Sequence, residues 1–169
     1  MRIGQADTDE RIVLVAEIGN NHEGSSELAQ ELIETAFACG ADAVKMQTFV
    51  PELYVSETQC ERLDMLRNFA LPHDELQRLL NEYESRGLIL FSTPFDLVSL
   101  GQLATTPLIK ISSGDITFVQ LIEQASRLRL DLIISTGAST LSEVKEAVAL
   151  IKGTWNEVGY EGSLAVLHC

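Results

Sequence analysis

Short, almost wholly aliphatic runs recur along this chain, and each one is followed by a stretch with helical spacing. The runs lie at residues 12–16, 43–48, 88–92, 108–112, 132–135 and 163–167. A strand that is apolar on both faces belongs in a parallel sheet covered by helices. The stretches between them carry the matching helix signals. Ser25 and Ser26 offer N-caps for a helix reaching about Cys39, with Gly40 as its stop. Asp74 opens a second helix with Leu76, Leu79, Leu80 and Tyr83 on one face, closed by Gly87. Further helices are expected from about Asp96 to Leu103 and over residues 118–127. Thr140 and Glu143 then form a capping box ahead of Val144, Val148 and Ile151. The connection at 50–72 is longer and mixed, with helical spacing around residues 60–69.

Strict β/α alternation implies parallel strands joined by right-handed crossovers. A closed eight-fold barrel and an open doubly wound sheet both satisfy it. A complete (β/α)8 barrel typically needs about 250 residues. A chain of 169 residues with six visible strands would therefore be such a barrel cut short after its sixth strand.

The net charge of −13 argues against nucleic acid or an anionic membrane as a general partner. No apolar run approaches the ~20 residues that span a bilayer, and the polar, acidic start MRIGQADTDE is unlike a secretory signal. Cys39, Cys60 and Cys169 are scattered without CxxC spacing, which fits a reducing compartment and a cytoplasmic protein. They read as core or surface thiols, because no activating His or Lys is adjacent in sequence.

Against this background, three charges stand out because they lie inside strand-like runs: Lys45, Lys110 and Glu17. An ionised group buried without a partner is costly, so such placement suggests a polar pocket at the strand ends. Side chains two apart on a strand share a face, which puts Gln47 beside Lys45 and Ser112 beside Lys110. Thr93 ends the third run, Ser113-Gly114-Asp115 the fourth and Ser135-Thr136-Gly137 the fifth. Two cations, several hydroxyls and glycine-flanked amides suit a phosphate and carboxylate site. Glu17 and Asp115 could handle protons or hold sugar hydroxyls.

Plainer roles compete with these. A lone strand lysine is usually an edge residue that snorkels to solvent. Glu17 could simply partner one of the lysines, while Asp96, Ser25, Ser113 and Asp115 could be helix caps. His73 reads as a solvated surface residue and His22 is ambiguous. The histidines show no metal-ligand spacing.

Six segments together resemble the sialic acid synthase family, which includes the N-acetylneuraminate, legionaminic and pseudaminic acid synthases. They are AEIGNNHEG, GADAVKMQTF, FSTPFD, IKISSGDIT, IISTGAS and the final LHC, in order from about Arg11 to Cys169. The resemblance implies a (β/α)8 barrel of TIM type. It also implies a transferase that condenses phosphoenolpyruvate with an N-acetylated hexosamine, such as N-acetylmannosamine, and releases phosphate. Carried over by motif, Lys45, Thr93, Lys110, Ser113 and Ser135 would hold the carboxylate and phosphate of phosphoenolpyruvate, with Gln47 beside them. Glu17 and Asp115 would face the sugar and the reacting carbons. Some members carry Glu at the latter position.

The resemblance further implies a divalent metal, manganese or magnesium, bound by two histidines from later barrel strands. It implies as well an Asn and a Tyr shortly after the final HC, and an antifreeze-like domain that crosses a homodimer. These features have no counterpart in the 169 residues, so residues 1–169 are expected to be the N-terminal part of the barrel, poorly active alone and prone to self-association. Two other readings remain open: a related phosphoenolpyruvate-dependent 3-deoxy sugar acid synthase, and a non-catalytic fragment acting in binding or assembly.

Overall fold

A computed structural model describes residues 1–3 and 6–169. Six strands form one parallel sheet: β3 (Val15–Gly19), β4 (Ala43–Thr48), β5 (Ile89–Pro94), β6 (Leu108–Ile111), β7 (Asp131–Ser135) and β8 (Leu164–Leu167). Among the described residues their order in the sheet is their order in the chain. No strand is skipped and no direction reverses. That succession is the signature of a barrel wall rather than a doubly wound sheet, in which the strand order reverses at a switch point. Side chains from all six strands line one concave inner face, enclosing a cavity of about 600 Å³. The fold is thus of the (β/α) barrel type.

The helices lie on the outer face. They are α1 (Ser26–Ala38), α2 (Pro51–Tyr54), α3 (Cys60–Phe69), α4 (His73–Ser85), α5 (Leu97–Gly101), α6 (Val119–Arg127) and α7 (Leu141–Glu157). The main core sits between them and the sheet, where Ile33, Leu79 and Tyr83 meet Val44, Leu90, Ile109 and Ile134. A smaller apolar layer of Ala43, Phe91, Leu108 and Ile133 fills the inner face. Alternation along each strand assigns neighbours to opposite layers: Ile109 packs outward while Lys110, one residue on, faces the cavity. The expected caps at Ser25, Asp96 and Thr140 are present, whereas α6 starts after Phe118 with no side-chain cap, so Ser113 and Asp115 do not cap it. The hydroxyl of Ser25 accepts from the Leu28 amide, and Thr140 and Glu143 form the reciprocal capping box of α7. Helices α2 and α3 occupy the long connection and cover a satellite cluster of Phe49, Val55, Leu63 and Leu66. No helix of the described residues is long and apolar enough to cross a membrane.

Two features depart from the sequence reading. The first strand begins at Val15 rather than Ile12. Asp42 is the cause: its carboxylate accepts from the Leu14 amide at 2.8 Å and from Arg11 at 2.9 Å, while the Asp42 amide donates to the Leu14 carbonyl at 2.8 Å. Residues 11–14 are thereby held short of the ladder, which opens at the Val15–Ala43 rung, and Ile12 is left 90% exposed. The second is a short antiparallel pair, β1 (Arg2–Ile3) with β2 (Ala6–Asp7), ahead of the sheet. Residues Met1, Thr8 and Asp9 around it line the cavity at the amino ends of the strands.

Candidate active site

The strands deliver their polar side chains to one place, at their carboxyl ends. Glu17, Lys45, Gln47, Thr93, Lys110, Ser113 and Ser135 all line a single cleft of about 310 Å³, together with Phe95, Ser112 and Leu167. Register explains the convergence. Glu17 pairs with Lys45 across β3–β4, and Gln47 with Thr93 across β4–β5, so these side chains stand on adjacent rungs of the same face. The cleft continues into the larger apolar cavity, with Glu17, Lys45, Lys110 and Leu167 at the junction.

The three strand charges differ in burial. Lys110 is only 6% exposed. Its ammonium donates to the Ser135 hydroxyl at 2.6 Å and to the Ile111 carbonyl at 2.8 Å. Burial pushes its pKa down to about 8, with the like charge of Lys45 acting in the same direction; Cys169, Glu17 and Asp115 oppose the shift. Lys45 is largely buried, donates to the Thr93 hydroxyl at 3.0 Å and forms an ion pair with Glu17. The Glu17 side chain is about half exposed (47%). It is a mouth residue rather than the buried strand charge suggested by the aliphatic run around it.

Asp115 is not among the cleft-lining residues, although it lies near enough for its charge to act on Lys110. It follows β6 in a short turn in which Ser112 Oγ accepts from the Gly114 amide at 3.3 Å. Burial raises its pKa, opposed by a hydrogen bond with Ser112 and by the Lys110 charge.

Backbone geometry sharpens the site at Gly19. A bulge between Glu17 and Gly19 shifts the β3 register, and Gly19 adopts a left-handed φ of +56°. A Cβ there would lie 3.3 Å from Glu17 Oε1 and 3.5 Å from Gln47 Nε2. Glycine therefore supplies both the turn and the room that lets these side chains meet the cleft.

Sequence spacing gave no hint of the surroundings of Cys169. The fold brings it to the loop after β7, where bonds from the Thr136 amide, the Ser135 hydroxyl and the Gly137 amide, with the Lys110 charge, lower its thiol pKa. Its three-dimensional neighbours are distant in sequence, and only the β7–β8 pairing brings them close. All three cysteines are exposed. His22 is buried with Nδ1 accepting from the Gly24 amide at 3.2 Å, whereas His73 is exposed, as its polar context suggested. Among the described residues, no three His, Cys, Asp or Glu side chains come together to hold a metal ion. Besides the Glu17 carboxylate, the polar groups of the cleft are ammonium, hydroxyl and amide groups, which can donate hydrogen bonds to an anion.

Fold and site together define a protein of the (β/α) barrel type with a cleft at the carboxyl ends of its strands, lined by two lysines and several hydroxyls. Residues 32–169 match the model of the NeuB family, and the chain belongs to that family, the sialic acid synthases. It is 33% identical to the N,N'-diacetyllegionaminic acid synthase of Legionella pneumophila, over 92% of this chain and 48% of that protein. It superimposes with a TM-score of 0.84 on the N-acetylneuraminic acid synthetase of Leptospira borgpetersenii, solved with citrate. That match has 29% identity and covers 94% of this chain and 54% of the other. A phospho-2-dehydro-3-deoxyheptonate aldolase of Thermotoga maritima shares the fold alone, at TM-score 0.65 and 13% identity over 93% of this chain and 40% of the other. The chain spans about half the length of the curated relatives it matches.

Proposed function

We propose that the cleft binds phosphoenolpyruvate and serves the condensation of phosphoenolpyruvate with an N-acetylated hexosamine, giving a nonulosonic acid of the sialic acid type and phosphate. The observation that carries this reading is the convergence of Lys45 and Lys110 on one cleft with the hydroxyls of Thr93, Ser113 and Ser135. In a protein of net charge −13, two ammonium groups on one concave face form a local well for a small, multiply charged anion. The Leptospira relative was solved with citrate, itself a small polycarboxylate.

On this reading Lys45, Lys110, Thr93, Ser113 and Ser135 hold the carboxylate and phosphate, and Gln47 orients them. Glu17 already neutralises Lys45, so an arriving carboxylate competes with Glu17 and frees it to face the sugar. Asp115, close enough for its charge to act on Lys110, is assigned the handling of protons beside the reacting carbons. Carbon 3 of phosphoenolpyruvate bonds to the sugar aldehyde carbon, water adds at carbon 2, and phosphate leaves. The divalent metal associated with the family lacks a ligand set among the described residues, so this chain's own contribution is the anion half-site. Turnover, the choice of N-acetylmannosamine or a related sugar, and assembly as a homodimer are assigned to the longer enzyme that the relatives represent. We expect little activity from these 169 residues alone.

The test is calorimetric titration of phosphoenolpyruvate into the chain, its Lys45→Ala and Lys110→Ala variants, with circular dichroism to verify folding. Measurable affinity in the parent and its loss in both folded variants is the expected result. Equal affinity in all three would overturn the assignment.

A further inference from the structure

Asp96, in the FSTPFD segment, is N-cap to α5, and the structure gives it a second partner. It is 4% exposed. Its Oδ1 accepts from the Ser99 amide at 2.8 Å, the ordinary capping bond. Its Oδ2 accepts from the Ser99 hydroxyl at 2.7 Å and also from the amide of Val50 at 2.8 Å. Val50 lies just past the end of β4, 46 residues earlier in the chain. Capping α5 requires only one oxygen; the other reaches across to the neighbouring strand.

That bond is the outermost of a set that locks the ends of β4 and β5. The Phe95 amide donates to the Thr48 carbonyl at 3.0 Å, and the hydroxyls of Thr48 and Ser92 meet at 2.7 Å in the buried interior. One rung further in stands the Lys45–Thr93 hydrogen bond of the cleft. A bond between side chains of adjacent strands survives only while the register of those strands is held, because a slip turns each side chain to the other face.

We propose that Asp96 is a positioning residue: its carboxylate straps the exit of β4 to the exit of β5 and so fixes the Lys45–Thr93 wall of the anion cleft. The inference rests on the phosphoenolpyruvate reading for its functional consequence, while the strap itself can be tested without a ligand.

Asp96→Asn separates the two roles. The amide oxygen can still cap Ser99, and asparagine is a good N-cap. Its NH2 group, however, faces the Val50 amide donor, which loses its acceptor. Amide hydrogen exchange should then show Val50 and Phe95 exchanging about tenfold faster or more, with α5 amides little changed. Unaltered protection at Val50 and Phe95 would overturn the strap, whether or not phosphoenolpyruvate binds. For the functional half, phosphoenolpyruvate titration should show about tenfold weaker binding in Asp96→Asn. That loss should be non-additive with Thr93→Ala and additive with Ser135→Ala on the far wall. Equal additivity with both would reduce Asp96 to a general structural role and overturn the positioning claim. Failure of the parent chain to bind phosphoenolpyruvate would count against the ligand assignment, and the exchange result would then decide the strap alone.

Discussion

The ammonium of Lys110, on β6, donates at 2.6 Å to the hydroxyl of Ser135, on β7, from a position almost sealed from solvent. This neutral partner cannot offset the charge, and the nearest cation, Lys45, worsens it. The cleft therefore holds a lysine whose charge is disfavoured by burial and opposed in that only by the charges of Cys169, Glu17 and Asp115.

One consequence is a pH limit on anion binding. Lys110 is protonated below about 8 and loses its charge above it. Phosphoenolpyruvate affinity should be flat from pH 6.5 to 7.5, then weaken by up to about tenfold per pH unit above 8, as the free protein must take up a proton to bind. Calorimetry near pH 8 in buffers of different ionisation enthalpy should register that uptake; buffer-independent heats would refute it.

The same lysine trades stability for binding. Its pKa in the fold, about 8, lies below the ordinary value of 10.5, so the unfolded chain binds more protons between these limits. The cost of burying the charge is thus fully present below pH 8, and stability from this group rises between pH 8 and 10.5. Lys110→Met should hold or raise Tm at pH 7, abolish phosphoenolpyruvate binding, and remove that alkaline rise. Thermal scans across pH 7 to 10.5 check the sign.

Gly19→Ala should cost about 1–2 kcal/mol through the left-handed backbone alone. It should also displace Glu17 or Gln47, whose side-chain atoms lie 3.3 and 3.5 Å from the added carbon. Urea melts measure the first effect. A loss of phosphoenolpyruvate affinity in conditions where the variant is fully folded measures the second.

Asp42 anchors the start of β3, and the Arg11 guanidinium beside it, with the Leu14 amide, holds its pKa down to about 2 from 3.8. Stability from this group is present above pH 4 and disappears as pH falls through 2. Asp42→Asn should flatten that acid limb of the stability curve and accelerate amide exchange at Leu14, both readable at pH 2 to 5.

Much of this arrangement was legible in the sequence because parallel strands read as aliphatic runs and helices announce their caps. The runs containing Lys45 and Lys110 were located closely, and seven of the eight site residues chosen across five strand ends line one cleft. What the sequence concealed depends on contacts between distant segments. Ile12 and Leu14 look like strand residues, yet the ladder starts after them because Asp42 captures the Leu14 amide. Asp96 read as a cap, since nothing local points to Val50. The thiol of Cys169 takes its character from Ser135 and Thr136, which only β7–β8 pairing brings near.

Because, among the described residues, each strand of the sheet pairs only with its neighbours in the chain order, the walls of the cleft can be completed in the order in which they are synthesised. Lys45 can find Thr93 before β6 exists, and Lys110 must wait only for Ser135. With a ribosome adding about 5–20 residues per second, the first wall would stand for a few seconds before the second arrived. A nascent chain of this kind would acquire its two cations one at a time, and each would meet a hydroxyl partner soon after it emerged.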